Sequence, residues 1–117
     1  MYSPQVLDHF EHPRNAGELN NPDAFAQVEN PACGDILKLT LRVDQGRITE
    51  ARFRSKGCVP AMACGSMITE LLLAKEVTRA RLITSQDLIA ALGGLPPASG
   101  HAAQLAIDTL RKALSAF

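Results

Sequence analysis

The sequence has no tryptophan and few aromatic residues of any kind, only Tyr2 and four phenylalanines. A surface that stacks nucleic-acid bases needs more than that. Charge of one sign is also missing. Lys+Arg and Asp+Glu are both 12, so the net charge is zero and the electrostatic footprint of a nucleic-acid binder is absent. No run reaches the roughly 18 apolar residues of a transmembrane helix, so no membrane partner is expected. The opening MYSPQVLDHFEHPRN carries acids and histidines where a signal peptide needs a basic end and an apolar run. The cytoplasm is therefore the expected location. Cysteines number three, an odd count that does not build a disulfide framework. Reduced thiols are expected, free to bind metal or to pack in a core.

What remains is ordinary globular material. The 117 residues fit one domain, 1–117. Hydrophobic residues make up 46% and charged residues 21%, enough for a core without disulfides.

Ser3-Pro4 reads as a helix start, with Ser3 as N-cap and Pro4 at the first helical position. That helix carries Val6, Leu7 and Phe10 and should stop before Pro13. Arg14 to Asp23 is a polar stretch, rich in Asn, and reads as a connecting loop. In Asp35–Val43, Leu37, Leu39, Leu41 and Val43 alternate with Lys38, Thr40 and Arg42, the pattern of a half-buried strand. After the turn Asp44-Gln45-Gly46, residues Arg47–Ser55 repeat it, and Ala24–Glu29 is a candidate third strand. Residues 60–74 are apolar nearly all round and too long for a strand, which predicts a buried helix. Shorter helices are expected over Val77–Leu82 and from an N-cap at Ser85 to Leu92. A last helix runs from about Gly100, with Ala103, Ile107, Leu110, Leu114 and Phe117 as its apolar stripe. Strands followed by helices predict an α+β domain, a small three-stranded antiparallel sheet with helices packed on one face.

Chemistry concentrates where these elements end. Asn30-Pro31-Ala32-Cys33-Gly34-Asp35 is a turn entering a strand, able to present a thiol and a carboxylate together. Gly57-Cys58-Val59-Pro60 lies where a strand stops and the buried helix begins. A thiol at a helix N-terminus meets unpaired N–H groups and the positive end of the dipole, which predicts a lowered pKa. Antiparallel pairing puts Cys33 and Cys58 at the same end of the sheet. His101 opens the last helix. Two sulfurs, an imidazole and a carboxylate suit zinc, or iron in a cluster. Taken singly, each residue has a plainer reading. A lone Cys is most often a small buried hydrophobe, and Asp35 is otherwise a turn acid.

Several of these motifs, in one order along the whole chain, resemble the IscU/NifU N-terminal family of iron–sulfur cluster scaffolds. Tyr2-Ser3, Asp8-His9-Phe10 and Pro13-Arg14-Asn15 are similar to its first helix and loop. Asn30–Asp35 is similar to its first cysteine motif, and Gly57-Cys58 with Ala61, Ala63, Ser66 and Thr69-Glu70 to its second. Leu95-Pro96-Pro97 and His101 fall at its Pro-Pro loop and histidine. The resemblance implies a scaffold, not an enzyme, that receives sulfur from a cysteine desulfurase, builds a [2Fe–2S] cluster and passes it to recipient proteins. It implies Cys33, Cys58 and His101 as cluster ligands, with Asp35 beside them tuning lability through a hard oxygen.

Two positions depart from the pattern. The family's third cysteine, directly after the histidine, is Ala102 here. The Lys expected two residues after Pro-Pro, in the segment an Hsp70-type chaperone binds, is replaced by Ser99, so that partner is not implied. Cys64 does not replace the lost thiol. Six residues along a helix is about 600° of rotation and about 9 Å of rise from Cys58, in a stretch that reads as core.

Three functions are compatible with this sequence. One is the scaffold, with Asp35 completing a Cys33, Cys58 and His101 set, since His replaces Cys in some [2Fe–2S] sites. A second is a mononuclear zinc or iron module in which the same four ligands close a tetrahedron. The third is a persulfide carrier, for which Cys58 is the better thiol.

Overall fold

The computed structural model describes all residues, 1–117. The apolar–polar alternation builds three strands, β1 (Ala24–Glu29), β2 (Ile36–Asp44) and β3 (Arg47–Lys56), paired antiparallel in the order β1-β2-β3. Leu37, Leu39 and Leu41 sit opposite Val28, Ala26 and Ala24 on one side and Ser55, Phe53 and Ala51 on the other. This row forms the inner face. Gln45 and Gly46 take φ of 50° and 77° between the paired Asp44 and Arg47, the doubly left-handed turn that matches strand twist in a two-residue hairpin.

Five helices follow the expected order around these strands: α1 (Pro4–Glu11), α2 (Val59–Leu72), α3 (Val77–Ala80), α4 (Ser85–Ala91) and α5 (Gly100–Leu114). Helix α2 packs on β3, and α5 on β1 and β2, so both lie on the inner face, while α1 packs on α2. The expected α+β arrangement is the observed one. Small residues on α2 make the close approach achievable. A Cβ at Gly65 would stand 2.6 Å from the Phe53 ring, so any side chain there would push helix and sheet apart. No helix is long and apolar enough to cross a membrane.

Local details add to these expectations and correct the α4 N-cap, the end of α3 and the place of Phe117. Helix α1 buries Val6 and His9, whereas Leu7 and Phe10 are 42% and 39% exposed. The N-cap of α4 is Thr84, not Ser85. Its hydroxyl accepts the Asp87 N–H at 3.2 Å while the Asp87 carboxylate accepts the Thr84 N–H at 2.9 Å, a reciprocal box that satisfies two helix-end donors. Helix α3 ends at Ala80, and Phe117 lies beyond the end of α5, half exposed. The polar stretch 14–23 is tied down along the sheet. Gly17 N–H donates to Phe53 O and Phe53 N–H to Asn15 O, Leu19 N–H donates to the Thr40 hydroxyl, and Arg42 donates to Asn20 O.

Candidate metal centre

The loop between β1 and β2 is shaped by its own backbone. Asn30 N–H donates to Asp35 O, Gly34 N–H to Asn30 O, both at 2.7 Å, and the Asn30 side chain accepts from Ala32 N–H. Gly34, at φ 76°, supplies the left-handed step that glycine makes without strain. The result exposes Cys33 and turns Asp35 inward, only 7% exposed. Pairing of Ile36 with Lys56 then carries Gly57-Cys58 alongside Asp35. Gly57 is required by that approach, because a Cβ there would lie 2.5 Å from Asp35 Oδ1.

His101 is the second residue of α5, and its Nδ1 lies 3.1 Å from Ala98 O. With Nδ1–H donating to that carbonyl, Nε2 carries the free lone pair, the usual arrangement for a metal-binding imidazole. Nε2 stands 3.9 Å from Asp35 Oδ2. Ligand atoms of Cys33, Asp35 and His101 all fall within 4.8 Å of one another, close enough for one ion to bridge with small side-chain movements.

Cys58 stands outside this group of three and touches it through Asp35, with Sγ 3.3 Å from Oδ2. The expectation of a lowered Cys58 pKa is also corrected. As the N-cap residue of α2 it does gain from the Ala61 N–H, but burial pushes the thiol up, and the neighbouring Asp35 carboxylate adds to that. Desolvation outweighs the helix terminus here. Cys64 is fully buried, its thiol pushed up to about 12 by burial, an inert packing group. Ala102 is 1% exposed, its methyl directed into the core while the neighbouring His101 faces out.

A second polar cluster was legible only as motif residues. His9 is 5% exposed, its Nδ1 2.7 Å from the Ser66 hydroxyl and its Nε2 3.3 Å from Glu70. Arg14 N–H donates to the same hydroxyl at 2.8 Å, so the hydroxyl donates to Nδ1 and Nε2–H faces Glu70. The available signal was polar residues spaced four apart, Ser66 and Glu70, on an otherwise apolar helix. Burial and Arg14 hold the His9 imidazole below its ordinary pKa. The cluster fastens α1 and the following loop to α2.

Comparison with known proteins follows the same lines. The family model described as the NifU-like N terminal domain matches residues 1–117. The iron–sulfur cluster assembly scaffold protein IscU 1 of Archaeoglobus fulgidus is 41% identical over 114 residues, 97% of this chain and 74% of that one. The iron–sulfur cluster assembly scaffold protein IscU of Escherichia coli strain K12 is 39% identical over 120 residues, 99% of this chain and 93% of that one. Among solved structures, a protein described as an iron–sulfur cluster assembly scaffold for the SUF system of Fervidobacterium islandicum AW-1 superposes with a TM-score of 0.81. It is 19% identical and the match covers 97% of this chain and 96% of that one, a likeness of fold. The chain belongs to the NifU-like N-terminal domain family.

Proposed function

We propose that the chain is a scaffold for iron–sulfur cluster assembly, holding iron and sulfide as cargo on Cys33, Asp35 and His101 with Cys58 at the margin. One observation carries this reading: a thiol, a carboxylate and an imidazole from three separate positions converge within 4.8 Å. Two of the three, Cys33 and His101, are exposed. Soft sulfur and imidazole suit iron or zinc, and a hard carboxylate weakens the hold on soft metal. Three protein donors leave a coordination position open toward solvent, as a site that exchanges its cargo requires. A closed structural zinc site, the alternative, needs a fourth donor in the same shell, and Cys58 reaches only Asp35.

In this reading a cysteine desulfurase supplies sulfur and recipient proteins take the finished [2Fe–2S] cluster. Relatives named as cluster assembly scaffolds support it. Sulfane sulfur passes from the desulfurase's persulfide to the exposed Cys33 thiol of the three-donor group, with the desulfurase cysteine leaving as a thiolate. Anaerobic incubation with ferrous iron, cysteine, a cysteine desulfurase and a dithiol reductant, which takes the sulfane sulfur to sulfide, tests the proposal. The expected product carries acid-labile sulfide in step with iron and a visible charge-transfer band. Tightly held zinc without sulfide would replace the scaffold with a mononuclear module, and sulfane sulfur without metal would replace it with a sulfur carrier.

A further inference from the structure

The outer edge of β3 is only partly occupied. In β2, Leu41 O accepts from Asp23 N–H on the β1 side, so the odd-numbered residues of β2 point their backbone groups toward β1 and away from β3. Their β3 partners, Ala51, Phe53 and Ser55, therefore turn N–H and C=O outward, and the Ala51 groups lie between the two covered positions described next. At Phe53 those groups are taken by Asn15 O and Gly17 N–H, and at Ile48 by Lys75 O and Ala74 N–H. Beyond Phe53 the covering segment departs. Gly17, at φ 123°, bends the chain off the edge and across the sheet, where Leu19 N–H reaches the Thr40 hydroxyl. No backbone group bonds to Ser55 N–H or O.

Two further observations fall at the same place. The Ser55 hydroxyl is shielded from solvent and has no hydrogen-bond partner. A groove of about 780 Å³ starts there, beside Ser55 and Met62, and runs across the sheet to Ile36 and Gln27, with Lys38, Arg54 and Lys56 along it. The facing acid, Glu18, is already engaged by Lys38 at 2.9 Å and Arg54 at 3.6 Å. Lys56 has no acidic partner. Three cations against one carboxylate give the groove a net positive charge.

We infer that this groove is a docking site for an extended acidic segment of a partner protein, which adds as a strand beside Ser55. The incoming backbone takes the Ser55 N–H and C=O just as Asn15 and Gly17 take those of Phe53. Alternate side chains of the strand then face the groove and the cations. Lys56-Gly57-Cys58 follows directly, so the partner is held next to the candidate metal centre. The docking itself requires no metal, and it stands whether or not the cluster reading does.

The test uses the full chain and a blocked Asp-Val-Asp-Val-Asp-Val-Asp peptide as probe. Titration should show saturable binding, with slowed hydrogen exchange at the Ser55 amide. Lys56→Glu should weaken binding roughly tenfold. Ser55→Pro, which removes an outward-facing donor on an edge strand, should abolish saturable peptide binding while circular dichroism reports an intact fold. The same peptide N-methylated at alternate residues should fail to bind. Equal binding of the N-methylated peptide would overturn strand addition, leaving charge alone. No binding of the unmodified peptide at millimolar concentration would overturn the docking site. Concentration-dependent dimerisation that protects Ser55 without peptide would also overturn it, assigning the edge to a second copy.

Discussion

Cys58 Sγ lies 3.3 Å from Asp35 Oδ2, and the thiol donates to the carboxylate. This contact couples the two halves of the site, one from the turn before β2 and one from the start of α2. It holds Cys58 in reserve, because burial first and the carboxylate second push the thiol up. Replacing Asp35→Ala removes the carboxylate and its hydrogen bond. Iodoacetamide should then alkylate Cys58 faster at neutral pH than in the parent protein. An unchanged Cys58 rate would mean that Asp35 does not restrain it.

Gly57 is the second control point. A methyl group there would meet Asp35 Oδ1 at 2.5 Å, so Gly57→Ala must displace the carboxylate or the strand end. The expected cost is about 1–3 kcal/mol in denaturant unfolding. Affinity for Co²⁺, followed by its thiolate absorption, should drop by roughly 10-fold, the scale typical for misplacing an outer support of a metal site. Full affinity with normal stability would separate Gly57 from Asp35.

His9 gives the fold a pH dependence of known sign. Its folded-state pKa lies below the ordinary 6.5 because the ring is buried, with Arg14 adding to the effect. Below about pH 6.5 the unfolded chain binds a proton that the folded chain resists, so stability falls with falling pH. The contribution is fully present above the ordinary value and is lost as pH falls through the depressed one. Unfolding by urea at several pH values should show this decline, and His9→Gln should flatten it while lowering stability at neutral pH. A decline of equal slope in the variant would assign it to other groups.

Much of this was legible in the sequence, for physical reasons particular to each element. Leu37, Leu39 and Leu41 alternate because one side of β2 faces the core, and the period alone yields the strand to within a residue at each end. Which face of α1 is buried was not legible, because the eight-residue element buries only a narrow stripe. There His9 outcompetes Leu7 and Phe10, since Ser66 and Glu70 satisfy both its nitrogens. Nothing local announces those partners, which lie 57 and 61 positions away. Cys33, Asp35 and His101 come together because three element ends meet. The Cys58 offset depends on side-chain directions that spacing does not encode.

Ala102 tests whether the centre lacks a donor. Its methyl is buried, so Ala102→Cys should destabilise the protein by about 1–3 kcal/mol through overpacking. If the new thiolate swings toward His101, Co²⁺ should bind more tightly and with a stronger thiolate band. Destabilisation without any spectral change would show that position 102 cannot reach the metal.

The central claim is that cluster cargo rests on Cys33, Asp35 and His101, with Cys58 at the margin, and not on the buried Cys64. Iron and acid-labile sulfide should be counted after anaerobic reconstitution of the parent protein and of Cys33→Ser, His101→Ala and Cys64→Ala. The account predicts matched iron and sulfide in the parent and in Cys64→Ala, with both lost from Cys33→Ser and sharply reduced in His101→Ala. Full iron and sulfide in Cys33→Ser, or their loss in a folded Cys64→Ala, would contradict it.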